Sequence, residues 1–256
     1  MSRVEPSPPP VSAVVTTFDN AATLDQCLSS LAWCAERVVL DSGSHDDTLA
    51  IAQRHGARIH QQPFAGYSAQ KQAAIDLARH DWVLLLDADE FLLAEAAPAI
   101  ARELAAPRAD GYRLPRYEWL FWRWVDARCA PNWQLRLFRR SCARMNAVPV
   151  HAEPAVRGRV RDLHAPLRHR GEPDIAARVD KINRYSSGLV AHKLARDEGW
   201  VGLRMVFYPW LAFVRMYFFK RYFRNGWAGF TAARMHAFYA FLKYAKLHEA
   251  RRGRQR

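Results

Sequence analysis

Two carboxylates separated by one residue stand at the end of an apolar run. Val83–Leu86 has the length and composition of a buried strand; it stops at Asp87, and Asp89 and Glu90 follow. Side chains alternate along a strand, so Asp87 and Asp89 point the same way. At the carboxyl end of a strand in an open α/β sheet, that direction faces the ligand crevice. Like charges this close repel unless a cation neutralises them. A hard divalent ion such as Mg²⁺, held by carboxylates and substrate phosphates, meets that need. An acidic turn would use the same residues, because aspartate favours turns.

The elements before this stretch alternate. Val11–Val15 is a β-branched run that opens into Thr16-Thr17-Phe18. Asn20 or Thr23 can cap a helix reaching about Trp33, with Leu24, Cys27, Leu28 and Leu31 on one face. Arg37–Leu40 is a second strand that also ends in an acid, Asp41. Ser42-Gly43-Ser44-His45-Asp46-Asp47 follows and leads into a helix over Leu49–His55, which Gly56 stops. Arg58–His60 reads as a third strand, 66–72 as a loop and Gln72–Ala78 as a helix before the strand at 83–86. This order predicts parallel pairing in a doubly wound α/β sheet. A helix to Ala105 and strands over Gly111–Arg116 and Gln134–Arg139 extend it.

The 256 residues carry a net charge of +13, unevenly placed. Residues 1–100 hold 6 Lys/Arg against 13 Asp/Glu, whereas residues 101–256 hold 32 against 12. An acidic first part suits a cation site, and a basic remainder suits an anionic lipid, nucleic acid or acceptor. Cys27, Cys34, Cys129 and Cys142 show no Cys-x-x-Cys spacing and read as reduced packing thiols. Met1–Pro10 is Pro-rich, lacks an apolar signal core and reads as a disordered tail. The aromatic stretch Tyr117–Trp124 serves either as core or as a boundary wet on one side. In the last third, Met205–Val214 is too short to span a bilayer, and Pro209 and Arg215 interrupt it. Trp227–Leu247 mixes large aromatics with Arg234, Lys243 and Lys246, as an interfacial helix or a solvated packed helix would.

Three pieces stand in order: Val14-Val15-Thr16-Thr17-Phe18 with Leu24 and Cys27-Leu28; Val39-Leu40-Asp41-Ser42-Gly43-Ser44-His45-Asp46-Asp47-Thr48; and Leu86-Asp87-Ala88-Asp89-Glu90. Together they resemble the inverting family 2 glycosyltransferases of GT-A fold. Gln70-Lys71, Arg136–Arg140, Val150-His151 and Lys181–Ser186 are similar to the branch that adds β-linked glucose to lipopolysaccharide core. The sequence departs from that pattern at Asp19 and Gln72, where Asn is usual, and at His151-Ala152-Glu153, where His and Glu are adjacent.

The resemblance implies a GT-A (Rossmann-like) nucleotide-sugar-binding sheet flanked by helices, over residues 11–200. A helical, basic, aromatic-rich extension over 201–256 would meet the membrane. Thr16, Phe18 and Asp41 would border the nucleoside, with Lys71 and Asp87 near the diphosphate. Asp89, helped by Asp87, would hold Mg²⁺ or Mn²⁺, with His164 and His169 as further ligand candidates. Inversion needs one general base within reach of the acceptor hydroxyl, Glu153 or alternatively His151. Arg136, Arg139 and Arg140 would face acceptor or phosphate groups.

The implied partners are a nucleotide sugar, UDP-glucose first, a lipid-linked oligosaccharide, and the inner face of the cytoplasmic membrane, with no nucleic acid. Transfer to a polyprenyl phosphate or capsular glycan is the competing enzymatic reading. An anion-binding module without catalysis is the competing class; it would gain nothing from acids in its ligand cleft.

Overall fold

The computed structural model describes residues 10–146, 152–195 and 199–253. They form two compact units. One runs to Tyr117 and resumes over Asn132–Arg170; the other is Glu118–Pro131 with the chain from Gly171 onward.

The first unit is built on a mixed sheet. In chain order its elements are β1 (Val11–Thr17), α1 (Ala21–Ser30), β2 (Glu36–Asp41), α2 (Thr48–Arg54), β3 (Arg58–Gln61), α3 (Tyr67–Asp76), β4 (Trp82–Asp87), β5 (Glu90–Leu92), α4 (Ala96–Ala105) and β6 (Gly111–Leu120). Then come β7 (Arg123–Trp124), β8 (Asn132–Arg139), β9 (Ala143–Met145), β10 (Pro154–Val156), β11 (Val160–Asp162) and β12 (Leu167–His169). The strand order is β3-β2-β1-β4-β8-β6-β12-β5. Pairing among β1 to β4 is parallel, as the alternating pattern predicts. Beyond β4 the expected parallel pairing gives way: β8 is antiparallel to β4 and to β6, and β12 to β5. No helix separates β6 from β8, so no crossover exists to make that pair parallel.

Helices cover both faces of the central strands. Leu84 and Leu86 of β4 join Leu24, Leu28, Ile51 and Ile100 from α1, α2 and α4. The intervening Val83 and Leu85 join Val14, Ala74, Ile75 and Phe138 on the other face. This two-sided burial explains the unbroken apolar run at 83–86. Register then aligns the strand ends, with Thr17 opposite Asp41 and Thr16 opposite Asp87. The chemistry-bearing residues of three strands therefore reach one edge together.

Two helices begin differently from the sequence expectation. Asn20 precedes α1 without capping it by its side chain; Asp46 Oδ2 accepts the Ala21 N–H at 3.0 Å instead. The same carboxylate accepts the Thr48 N–H at 3.0 Å at the start of α2. The Thr48 hydroxyl, then the Ala21 amide, hold the Asp46 carboxyl below its usual range. The other correction is larger: residues 67–72, read as loop, are the first turns of α3.

In the second unit, β7 pairs antiparallel with the end of β6, and Trp119 meets Trp124 edge to face. Its helices are α5 (Ile175–Gly188), α6 (Val190–Ala195), α7 (Val201–Val214) and α8 (Gly226–Gly253). This unit starts earlier than the expected boundary at 200 and takes in 118–131. Asp126 N–H donates to Asn225, Ala130 N–H donates to the Lys220 carbonyl, and Cys129 Sγ meets the Arg221 carbonyl. One face of α8 is small: Ala228, Gly229, Ala232, Ala233, Ala237 and Ala240 are buried. A Cβ on Gly229 would fall 1.9 Å from the Tyr222 carbonyl oxygen, so only glycine fits that approach.

Candidate active site

The loop after β2 is shaped by its own aspartate. Asp41 Oδ2 accepts the N–H groups of Gly43 at 2.8 Å and Ser44 at 2.9 Å, and Oδ1 accepts the Ser44 hydroxyl. Gly43 has φ +100°, which glycine adopts without steric cost. Asp41 is fully buried. The carboxylate expected to meet base or ribose thus holds its own loop. Opposite, the Asp19 N–H donates to Ser44 Oγ at 2.9 Å, and Asp19 Oδ1 accepts the His45 N–H at 2.7 Å. The two loops are thus tied together. Phe18 is exposed beside them and meets the His45 ring edge-on at 6.2 Å, while Thr16 is half-buried.

Asp87 sits between two cations. Lys71 Nζ lies 2.5 Å from Oδ1 and Arg136 Nη2 2.9 Å from Oδ2. Beneath it, buried Glu90 accepts from Arg136 at 2.6 Å and Arg116 at 2.8 Å, and its other oxygen accepts the Asp87 N–H. Burial works to raise the Asp87 carboxyl, but Lys71, then Arg136, outweigh it and hold it well below the usual carboxylate range. Three cations against two carboxylates leave one positive charge at the sheet edge. Cys27 lies alongside; burial, reinforced by Glu90 and Asp89, pushes its thiol well up, as suits an inert packing group.

Asp89 is in the turn between β4 and β5. Antiparallel pairing sets His169 opposite Glu90, and Arg170 N–H donates to the Asp89 carbonyl at 2.8 Å. His169 Nε2 consequently stands 3.1 Å from Asp89 Oδ2. Asp87 does not complete the pair as expected, because both of its oxygens are engaged by side-chain cations. Among the described residues no cluster of three or more His, Cys, Asp or Glu side chains could hold a metal. One carboxylate and one imidazole nonetheless fit a divalent ion whose other ligands come from phosphates and water. His164, the other histidine considered, meets Trp133 edge to face at 5.3 Å.

One helix ties three parts of the site together. From α3, Gln70 donates to Ser42 Oγ at 3.1 Å, Lys71 holds Asp87, and Gln72 Oε1 accepts the Met145 N–H at 2.9 Å. Ser68 donates to the Asn146 carbonyl at 2.5 Å. The β9–β10 hairpin fixed in this way carries Glu153, which is exposed; its N–H donates to Asn146 Oδ1 and its carbonyl accepts from the Asn146 N–H. His151, the alternative base, lies outside the described residues.

The three arginines separate. Arg136 is buried in the Asp87–Glu90 network. Arg139 pairs with Asp81 and stacks on Trp82, and the Arg140 N–H donates to the Asp81 carbonyl, all at the start of β4. A strand rises about 3.3 Å per residue, which puts them roughly 15 Å from Asp87. Arg139 and Arg140 are therefore corrected: they brace the amino end of the strand.

A net positive charge, a carboxylate–imidazole pair and two stapled loops at the carboxyl edge of an α/β sheet fit a glycosyltransferase of the GT-A type. Residues 12–156 match the family described as Glycosyl transferase family 2, and the chain belongs to that family. It is 30% identical over 251 residues to the lipopolysaccharide core biosynthesis glycosyltransferase LpsC of Rhizobium meliloti, covering 94% of this chain and 92% of that protein. An uncharacterized glycosyltransferase of Rickettsia felis is also 30% identical, over 94% of this chain and 90% of the relative. Among solved structures, glucosyl-3-phosphoglycerate synthase from Mycobacterium tuberculosis in complex with phosphoglyceric acid superposes with TM-score 0.50 at 17% identity. That match covers 73% of this chain and 80% of the other, and it shows the shared fold.

Proposed function

We propose that this glycosyltransferase moves glucose from UDP-glucose to a lipopolysaccharide core acceptor, with inversion and with a divalent metal, at the inner face of the cytoplasmic membrane. The observation that carries the reading is Asp89 paired with His169 beside the net-positive Lys71–Arg136–Arg116 network. It is supported by the near full-length similarity to the LpsC protein of Rhizobium meliloti.

Asp89 and His169 would hold Mg²⁺ or Mn²⁺. When bound, the ion supplies Lewis-acid stabilisation of the leaving diphosphate. The residues of the chain do the rest. Phe18 and the stapled 42–47 loop border the nucleoside. Lys71, locked onto Asp87, brings positive charge to the diphosphate. Glu153 takes the proton of the acceptor hydroxyl at its carboxylate.

The test is a donor screen with defined core oligosaccharides, read by mass spectrometry with and without Mn²⁺. One added hexose from UDP-glucose, dependent on metal, is the expected result. Transfer to polyprenyl phosphate and not to core sugars would replace the acceptor. Transfer undiminished by chelator would remove the metal.

A further inference from the structure

An amphipathic helix ordinarily turns residues spaced i, i+3, i+4, i+7 toward the core. In α7 the stripe with that spacing faces outward. Leu203, Val206, Phe207, Trp210 and Leu211 are between 50% and 64% exposed. The helix is already seated through its other side: Val201 and Met205 pack with Tyr244 and Leu247 of α8, and Tyr208 meets Tyr244 edge to face at 5.1 Å. Phe213 in its last turn and Tyr217 just beyond its end both meet Phe230. Packing within the unit therefore does not account for the outward stripe. Trp200, Phe219 and Trp227, each more than three-quarters exposed, belong to the same unit.

We propose that the Leu203–Leu211 stripe of α7 inserts shallowly into an anionic phospholipid surface; this rests on the membrane reading above and gives it a specific element. Charge selects that occupant. From Gly199 to His248 the chain has eight Lys/Arg and no Asp/Glu. A second copy would bring this positively charged segment against itself, and like charges across an interface are costly. Nucleic acid would match the charge but leave the apolar stripe in water. A bilayer surface offers acyl chains for the stripe and phosphates for the cations. Among the described residues no helix is long and apolar enough to cross a membrane. The 14 residues of α7 rise only about 21 Å, so the helix lies in the plane.

The test uses the full chain with the triple variant Phe207→Ser, Trp210→Ser, Leu211→Ser, whose positions are exposed and leave the core untouched. Binding to phosphatidylglycerol–phosphatidylethanolamine vesicles is measured by flotation, beside phosphatidylcholine vesicles. Wild type should float with the anionic vesicles and the variant should bind at least about 100-fold more weakly. Donor hydrolysis and transfer to a water-soluble acceptor should be unchanged, so a failure of the enzymatic reading would show separately. Acyl-chain-brominated lipid should quench a fluorescence component that Trp210→Phe removes. Equal flotation of variant and wild type would overturn the proposal. So would a wild-type dimer in sedimentation equilibrium that the triple variant dissolves, since the stripe would then be a self-association face.

Discussion

Lys71 Nζ stands 2.5 Å from one oxygen of Asp87 while the other oxygen is held by Arg136 at 2.9 Å, so the first acid of the Asp87-Ala88-Asp89 motif is a clamped anion. The two cations are not equivalent. Arg136 is buried and also balances Glu90, which is fully buried. Lys71 comes from α3 and pairs with Asp87, not with the fully buried Glu90. Removing one partner of a buried pair strands its counter-charge at about 3–5 kcal/mol. Arg136→Met should therefore behave as a folding variant, with its denaturation midpoint sharply lowered. Lys71→Met should stay folded and lose transfer activity through a weaker hold on the nucleotide diphosphate. Equal stability losses in the two variants would show that both cations serve the fold alone.

Asp89 and His169 are the proposed metal pair, and a binding measurement reports on them without turnover. Residues that only support ligands typically cost 10- to 100-fold in metal affinity when changed, roughly, so a ligand should cost no less. Mn²⁺ binding in the presence of UDP, followed by paramagnetic water relaxation, should weaken at least about tenfold in Asp89→Asn and in His169→Ala. Unaltered Mn²⁺ affinity in both would place the ion elsewhere.

Glu153 is exposed on a hairpin, so Glu153→Gln should leave the unfolding curve in place. As the general base it should cost about 10²–10⁴-fold in kcat, with donor binding preserved. A near-normal rate in Glu153→Gln, with a dead His151→Ala, would move the base to His151.

Much of this was legible in the sequence, and what was missed has physical reasons. Buried strands announce themselves by composition, and β1, β2 and β4 fall within a residue or two of expectation. The edge where the acids gather was legible too, because Asp41 and Asp87 each end an apolar strand. The first turns of α3 were not. Gln70, Lys71 and Gln72 point at a loop, an acid and a hairpin, so the helix lacks the apolar stripe by which a helix is recognised. Its polar side chains are the signal, visible only once their partners are known. The roles of Arg139 and Arg140 depend on contacts across the sheet that no local pattern encodes. His169 met Asp89 through a pairing of β12 with β5 across some eighty residues of chain.

Glu172 offers a test that is independent of catalysis. It precedes α5, where Asp174 caps the helix by accepting the Ala177 N–H at 2.8 Å. Glu172 pairs with Arg178 at 2.7 Å and with Lys181. Burial alone would raise its carboxyl, but Arg178 and then Lys181 outweigh it and bring it down to about 2. A carboxyl whose folded value is depressed stabilises the fold above its unfolded value, and that stabilisation fades as pH falls toward the folded one. The window runs from about 4.3 in the unfolded chain down to about 2. A shift of this size corresponds to roughly 3 kcal/mol at most, trimmed by solvent around the part-exposed Arg178. Glu172→Gln should therefore be about 1–3 kcal/mol less stable than wild type near neutrality, measured by urea unfolding. The gap should begin to close below about pH 4.3 and keep narrowing as the medium grows more acidic. A gap that stays constant with pH would mean that Glu172 acts through packing or neutral hydrogen bonds, and no gap at neutral pH would mean that the ion pairs add nothing to the start of α5.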